Sequence, residues 1–542
     1  MNMSRDPVCG MDLDLVVRDG LIVDGTGAPW FKGDVAVEGG VIVGVGRVKG
    51  EAETTLEAEG LAVSPGWIDI HTHADHTVLA NPQGHSYIHQ GVTTVAMGNC
   101  GLSVYPVSPQ HRRELAEYLK PFTFGLDPGY GWEDYQGFTQ KVVEGGTSLN
   151  LVGLVGHGSI RIAVMGFEDR APTGGELGEM EALLEEALAQ GCFGMSTGLG
   201  YPPGLFAGEE ELATLGKTLA QVGALYATHM RGEESNLEET LRLAERMGTP
   251  LQVSHLGSSR GRFPHLRGQH REATLKQMEE ARARGVDVTA DIYPYTAGSS
   301  LLSQLIPDQL HAGGVQAMLG RLEKAETREW LRAHYRETGR DWGKVLVSSV
   351  GSQANKWVEG KTLAEVGEAR GVDPVDALCD LLLEEGGEAM NITFWGVEED
   401  VDQLAQHPAV MPCSDGWSLA PHGPLAKGKP HPRCYGAFPR YLRRYVYQKR
   451  SFTLEEAVRR MTSLPASRLG LQDRGLIKVG MKADLTVFDP ARVRDTATYR
   501  EPHSYPEGVE HVVVNGVVTL RGGRHTGALA GRVLKPWWSL GE

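Results

Sequence analysis

Residues 92–106 read VTTVAMGNCGLSVYP. A β-branched apolar run stops at Gly98-Asn99-Cys100-Gly101, so a buried strand is followed by a tight turn that carries a cysteine. That cysteine has four readings: buried filler, half of a disulfide, a nucleophile or a metal ligand. The pattern of apolar strand and polar end recurs along the middle of the chain. WIDIHTH (67–73), TTVAMGNC (93–100), LVGLVGH (151–157), CFGMSTGL (192–199), LYATHM (225–230), LQVSHL (251–256), VDVTADIYPY (286–295) and AVMPCSDG (409–416) make eight. Helical segments lie between them. In GELGEMEALLEEALAQG (175–191), Leu177, Met180, Leu183, Leu184 and Leu188 recur at helical spacing, with Gly191 as a stop. ESNLEETLRLAERMG (234–248) and ATLKQMEEARARG (273–285) are alike. Alternating strands and helices predict an α/β fold, and eight such units predict a (β/α)8 TIM-like barrel over 65–470. An open doubly wound sheet is the alternative. The strand count and the absence of GxGxxG after the first strand count against it.

The two ends differ from the middle. LVVRDGLIV (15–23) and DVAVEGGVIVGVG (34–46) alternate around Asp19-Gly20 and Gly39-Gly40, which are hairpin pairs. GMKADLTVFD (480–489) and VEHVVVNGVVTLRGG (509–523) carry the same signature, with a turn at Asn515-Gly516. Neither end suffices for a sandwich alone. Together, 12–64 and 471–542 predict one small composite β-sandwich domain. About a hundred residues separate the seventh and eighth strands, too many for a loop, so a helical insertion at about 301–362 is expected between them. Residues 1–11 read as a flexible leader. Their DPVCGM resembles a short metal-binding signature of other small domains.

The net charge of −16 disfavours nucleic acid and anionic lipid as partners. The N-terminus has no signal-peptide core, and no apolar run approaches the roughly 20 residues needed to cross a bilayer. A soluble, cytoplasmic protein is expected, with homo-oligomers left open. The six cysteines are dispersed and form no CxxC pair, which argues against a disulfide framework and a tetrathiolate zinc site.

The polar residues at the strand ends carry the chemistry. His71 and His73 end the first strand and, two residues apart, share a face. Cys100 ends the second strand, His157 the third, His229 the fifth, His255 the sixth and Asp415 the eighth. In a barrel these ends meet at one mouth. Imidazole, thiolate and carboxylate are zinc ligands, and a catalytic zinc keeps one position for a water whose pKa it lowers toward about 7. Cys100, His229 and His255 supply one tight zinc site. His71, His73 and Asp415 can supply a second, weaker one. A nucleophilic cysteine would need its own base and oxyanion donors, so the ligand reading is preferred. His157, between glycines in GHGS (156–159), either holds substrate or packs. His76 and His85 read as loop residues. Cys192 and Cys413 read as core. Glu233 and Glu234 either orient His229 or face solvent.

PGWIDIHTHAD (65–75), ATHMRGE (227–233), QVSHLG (252–257) and PCSDG (412–416) resemble the marks of the amidohydrolase superfamily. SLPASRLGL (463–471) and GLIKVGMKADLTVFDP (475–490) resemble the tail of members with a composite β domain. Within the superfamily the chain is most similar to the D-aminoacylases, the N-acyl-D-amino-acid deacylases. GNCG (98–101), STGLGYPPG (196–204), DIYPYTAGSS (291–300) and SDG (414–416) with HPRCYG (431–436) match that family in order. The resemblance implies that Cys100 is a metal ligand, replacing the carboxylated lysine of hydantoinases. CFGMSTGL accordingly has no lysine. It also implies substrate contacts at Tyr201, Tyr293 and Ser299. One departure stands out: relatives carry a substrate-contacting lysine after the sixth-strand histidine, whereas SHLGSSRGR (254–262) offers only Arg260 and Arg262.

The expected reaction is zinc-dependent hydrolysis of the N-acyl bond of an N-acyl-D-amino acid, a small-molecule amide. Asp415 is the expected base toward water and acid toward the leaving amine. Arg433 is the first choice for a substrate carboxylate, which its planar fork suits. D rather than L is implied by the resemblance alone. The nearest rival is a related amidohydrolase acting on a formamide, dipeptide, cyclic or xenobiotic amide. A rival of another class is an inactive barrel used for binding or assembly, but such barrels lose ligands, and all are present here.

Overall fold

The computed structural model describes residues 13–127, 129–231, 237–257 and 269–539; the expected leader lies outside them. Eight parallel strands organise the middle of the chain. They are Trp67–Asp69, Val92–Met97, Asn150–Gly153 with its continuation Val155–Gly156, Gly194–Gly198, Leu225–His229, Leu251–Val253, Val288–Ile292 and Val410–Pro412. The first three pair in order as one ladder, and Val155–Gly156 through Val410–Pro412 pair in order as another. A parallel bridge between Thr72 and Gly416 joins the eighth strand to the first. There Asp415 donates its N–H to the His71 carbonyl at 2.9 Å, and His73 donates to that of Gly416 at 2.7 Å. Almost every residue of these strands is buried, as expected when helices cover one face and side chains fill the other.

Parallel pairing requires long crossovers, and the intervening helices supply them. Helix Leu237–Met247 buries Leu237, Leu241, Ala244 and Met247, one stripe at helical spacing. Helix Gly174–Ala189 begins with a capping box between Thr173 and Glu176 and buries Met180, Leu184 and Leu188. Among the described residues, no helix is long and apolar enough to cross a membrane.

The chain ends meet in one nine-stranded sheet. Ala62–Pro65, from the N-terminal side, pairs antiparallel with Leu485–Phe488, from the C-terminal side. The sheet branches at Leu13–Ile22. Its early residues pair with Ala52–Glu57 and its last two with Ala62–Pro65. Leu15, Val17, Val35 and Val63 share a core with Leu485, Val487 and Val513.

The segment between the seventh and eighth strands differs from the expected helical insertion at 301–362. It contains a three-stranded antiparallel sheet in which Met390–Phe394 lies between Ala297–Leu301 and Val345–Ser349. A separate apolar core gathers Leu302, Met318, Leu331, Val345, Leu363, Val366, Leu378 and Leu381. The expected end at 362 falls on Thr362, which caps helix Leu363–Arg370. That helix buries Leu363 and Val366 in the same core, so packing carries the unit on to Phe394.

Candidate metal centre and substrate site

The turn at 98–101 explains its own sequence. Gly98, Cys100 and Gly101 all have left-handed backbone, with φ of 77°, 57° and 72°. A Cβ on Gly98 would lie 2.1 Å from the Leu154 carbonyl oxygen, and one on Gly101 2.8 Å from the Gly198 nitrogen. Only glycine fits at those two points. The turn thereby aims the Cys100 side chain at the histidines. His255 and Asp415 are also left-handed, with φ of 34° and 48°. Such conformations cost energy for residues with a side chain and are characteristic of functional positions.

The side chains so placed converge. Cys100 Sγ lies 3.2 Å from His71 Nε2 and 3.5 Å from His255 Nε2. His229 Nδ1 lies 2.9 Å from His255 Nε2. Asp415 Oδ1 lies 3.1 Å from His73 Nε2 and 3.6 Å from His71 Nε2. Asp415 Oδ2 is held by Arg433 at 2.8 Å. All are buried except His229, which is half-buried.

Burial opposes ionisation of the Cys100 thiol, yet the neighbouring His71, His229 and His255 hold it well below its usual range. Burial likewise opposes a charged His71, but Cys100, Asp291 and Asp415 draw it well above its usual value. Asp415 is held low against burial, chiefly by Arg433 and then His71. Asp69, buried beneath the site, is raised to about 7 by burial although it accepts the backbone N–H of Ser414 and His71.

The donor set fits a metal ion. Cys100, His229 and His255 bring three ligand atoms within 4.8 Å of one another; so do His71, His73 and Cys100, and His71, His255 and Asp415. Thiolate, imidazole and carboxylate are what zinc binds. Three anionic groups buried against one arginine also form a field that attracts a cation.

Of the expected substrate residues, Tyr201 donates its hydroxyl to the Cys100 carbonyl at 2.6 Å and packs its ring against His229. Tyr293 lies under the Arg433 guanidinium, 4.6 Å from ring centre to Cζ. His431 explains why HPR precedes the fold here. Its Nδ1 accepts the Arg433 N–H, and its Nε2 donates to the Ala297 carbonyl, tying Arg433 to strand Ala297–Leu301. Ser299 sits half-buried on that strand. Trp417 and Phe122 stack near His73, giving the site an apolar wall. Cys192 and Cys413 are buried, as expected of core residues.

His157 is not part of this group. Its Nε2 pairs with Glu211 at 2.8 Å, and Glu211 also takes Arg161. Glu233, Glu234, Arg260 and Arg262 lie outside the described residues. The residue the sequence reading passed over is Asp291. It accepts from His71 Nδ1 at 3.1 Å, the His255 N–H at 2.7 Å and Gln252 Nε2 at 2.8 Å, and so holds two of the candidate ligands at once. It lies one residue before the end of the seventh strand, Val288–Ile292, and inside the longer predicted run VDVTADIYPY, so the strand-end rule that found the others did not reach it.

Candidate ligands gathered at strand ends around a carboxylate fit a metal-dependent hydrolase, and the family makes it an amide hydrolase. The chain belongs to the amidohydrolase family, whose model matches residues 54–520. It is 36% identical over 532 residues to a D-aminoacylase of Alcaligenes xylosoxydans xylosoxydans, covering 96% of this chain and 97% of the relative. It is 34% identical over 529 residues to an N-acyl-D-aspartate deacylase of the same organism, covering 96% and 95%. Its structure is similar, with a TM-score of 0.79 and 32% identity over 97% of this chain and 100% of the other, to the N-acyl-D-glutamate deacylase of Bordetella bronchiseptica. That protein was solved with zinc and a phosphonate mimic of the reaction's tetrahedral intermediate.

Proposed function

We propose that the chain hydrolyses the N-acyl amide bond of N-acyl-D-amino acids, releasing a carboxylate and a free D-amino acid. The observation that carries this reading is the position of Asp415, with one oxygen toward the histidine ligands and the other on Arg433. The scaffold we infer is a closed (β/α)8 barrel over 65–470 with its inserted unit. The branched sheet folds over as a composite β-sandwich from 12–64 and 471–542. Cys100, His229 and His255 would hold the tight zinc, and His71, His73 and Asp415 a weaker second ion. Zinc bound there supplies Lewis acidity, polarising the scissile carbonyl and acidifying water.

The chain's own residues do the rest. Arg433 occupies Asp415 Oδ2, so Oδ1 is the oxygen that takes the proton from water and returns it to the departing amine nitrogen. Arg433 Nε is buried without a partner among the described residues, which leaves the fork a donor for the substrate carboxylate. Tyr293 supports that guanidinium from below, and Ser299 and Tyr201 border the same space. His157 is spent on Glu211 and has no role at the substrate. We place the enzyme in the cytoplasm, in keeping with its unpaired Cys100, Cys192, Cys379, Cys413 and Cys434.

The test is hydrolysis of both enantiomers of N-acetyl Met, Leu, Phe and Glu by zinc-loaded enzyme. Cleavage of the D series alone is expected, and its ranking defines the side-chain pocket. Silence on both series with zinc bound would overturn the substrate and point to amides without an α-carboxylate.

A further inference from the structure

A second set of histidines lies apart from the metal centre. His85 and His89 stand four residues apart around the short helix His85–Ile88, the spacing at which two imidazoles on one helix face chelate a metal. Their ring centres are 6.1 Å apart. His422, exposed on the loop after the eighth strand, lies 5.0 Å from His85. The His85 and His89 planes are 12° from parallel, and as placed the three rings do not bring a nitrogen each within 4.8 Å of one another, so a shared ion needs His422 to turn inward.

The hydrogen bonds fix the tautomers. Asn81 donates its amide to Ser418 Oγ and the Leu419 carbonyl, so its Oδ1 is the acceptor that faces His85 Nδ1 at 2.7 Å. His89 Nδ1 donates to the His85 carbonyl, also at 2.7 Å. In both rings the proton is on Nδ1, and Nε2 keeps its lone pair with no partner among the described residues. An Nδ1–H held by a carbonyl is how proteins orient a ligating imidazole. The His89 ring is also clamped by Tyr505, stacked at 3.6 Å and 2°. Burial first, and then the neighbouring imidazoles, push His85 and His89 down to about 4, so neither carries a competing proton at neutral pH. His525, 5.2 Å from His85, has the opposite tautomer. Its Nδ1 accepts from the Gly527 N–H and its Nε2 faces Ser148 Oγ. It walls the site rather than joining it.

We propose that His85 and His89, completed by rotation of the exposed His422 side chain, form a second, all-imidazole site for a divalent transition-metal ion. The site lies where helix His85–Ile88, the loop after the eighth strand and the C-terminal hairpin meet. The chemistry selects nickel, copper or zinc over calcium or magnesium, because imidazole is the sole donor type. A bound ion would tie the C-terminal strands, through Tyr505 and His525, to the barrel.

The experiment uses full-length enzyme loaded with zinc and freed of excess metal, titrated with Ni²⁺ calorimetrically, with both metals counted after dialysis. Wild type is expected to bind one nickel per chain while keeping its zinc. His85→Gln and His89→Gln should lose that ion or bind it at least about tenfold more weakly. His422→Gln, a change on an exposed loop that leaves folding undisturbed, should weaken it comparably. All three should keep wild-type zinc content and amide hydrolysis. Nickel uptake equal in wild type and the variants, or appearing in wild type only as zinc is displaced, would overturn the site. An unchanged His422→Gln would overturn the three-ligand form.

Discussion

Two parallel strands, the first and the third, carry buried histidines just past their ends, and these histidines meet different surroundings. After the first strand, His71 and His73 face Cys100 and Asp415. After the third, His157 faces Glu211. The difference is charge balance. Around His157 the single carboxylate is neutralised within the chain by Arg161, which is also buried. Around His71 three anionic groups, Cys100, Asp291 and Asp415, gather with Arg433 as their one arginine among the described residues. Against burial they draw His71 well above its usual value, and Asp415 and Cys100 raise His73 to about 9. A buried cluster whose charges balance holds a structure together. One whose anions hold protons on the surrounding imidazoles carries the charge and the donor atoms for a cation that would displace those protons.

The largest effect should come from Asp415. Asp415→Asn keeps the shape and removes the proton acceptor, so kcat should fall by about 10²–10⁴-fold with zinc nearly stoichiometric by metal analysis. Normal turnover would remove Asp415 from its role. Cys100→Ser tests the anionic cluster directly. Zinc affinity, measured by competition with a chelator, should weaken by about 10²-fold or more, and activity should return at high zinc. Undiminished affinity would overturn the ligand reading and return Cys100 to that of buried filler.

Arg433 is the one arginine among the described residues paired with Asp415, so removing it sharpens the contrast. Arg433→Ala should cost about 2–5 kcal/mol in kcat/KM toward N-acyl amino acids. A matched amide lacking the carboxylate should lose much less, since it never used the fork. Equal losses on both would mean that Arg433 serves only to hold Asp415.

The sequence made much of this legible because strand ends in a parallel sheet are local facts: a β-branched run, then a polar residue. Cys100, His71, His73, His229, His255 and Asp415 all yield to that rule, whereas Asp291 lies inside the run VDVTADIYPY and does not. What it cannot show is the partner. His157 ends a strand like the others, but its fate depends on Glu211, which is 54 residues away on helix Glu209–Val222. The inserted unit was underread for a similar reason. VLVSS (345–349) and MNITF (390–394) become strands by pairing with each other and with Ala297–Leu301, and neither alternates cleanly enough to announce it. His85 begins helix His85–Ile88 but reads as a loop residue, because a four-residue helix leaves no periodic signal.

The smallest effect belongs to the balanced cluster, and it should be one of stability alone. Burial by itself would raise the Glu211 carboxyl, but His157 and Arg161 hold it below its ordinary value. A carboxyl with a lowered folded pKa binds its proton more readily when the chain is unfolded. Its contribution is therefore complete above the unfolded value of about 4.3, and it is lost as pH falls through the lower folded value. Glu211→Gln should thus cost about 1–3 kcal/mol near neutral pH, where Arg161 loses its charged partner, and should flatten the acid limb of the stability curve. His157→Gln should cost less, since Arg161 still holds the carboxylate. Urea unfolding across pH measures both. Neither substitution should alter zinc content or turnover. A loss of zinc in either one would place His157 with the ligands after all and break the contrast between the two clusters.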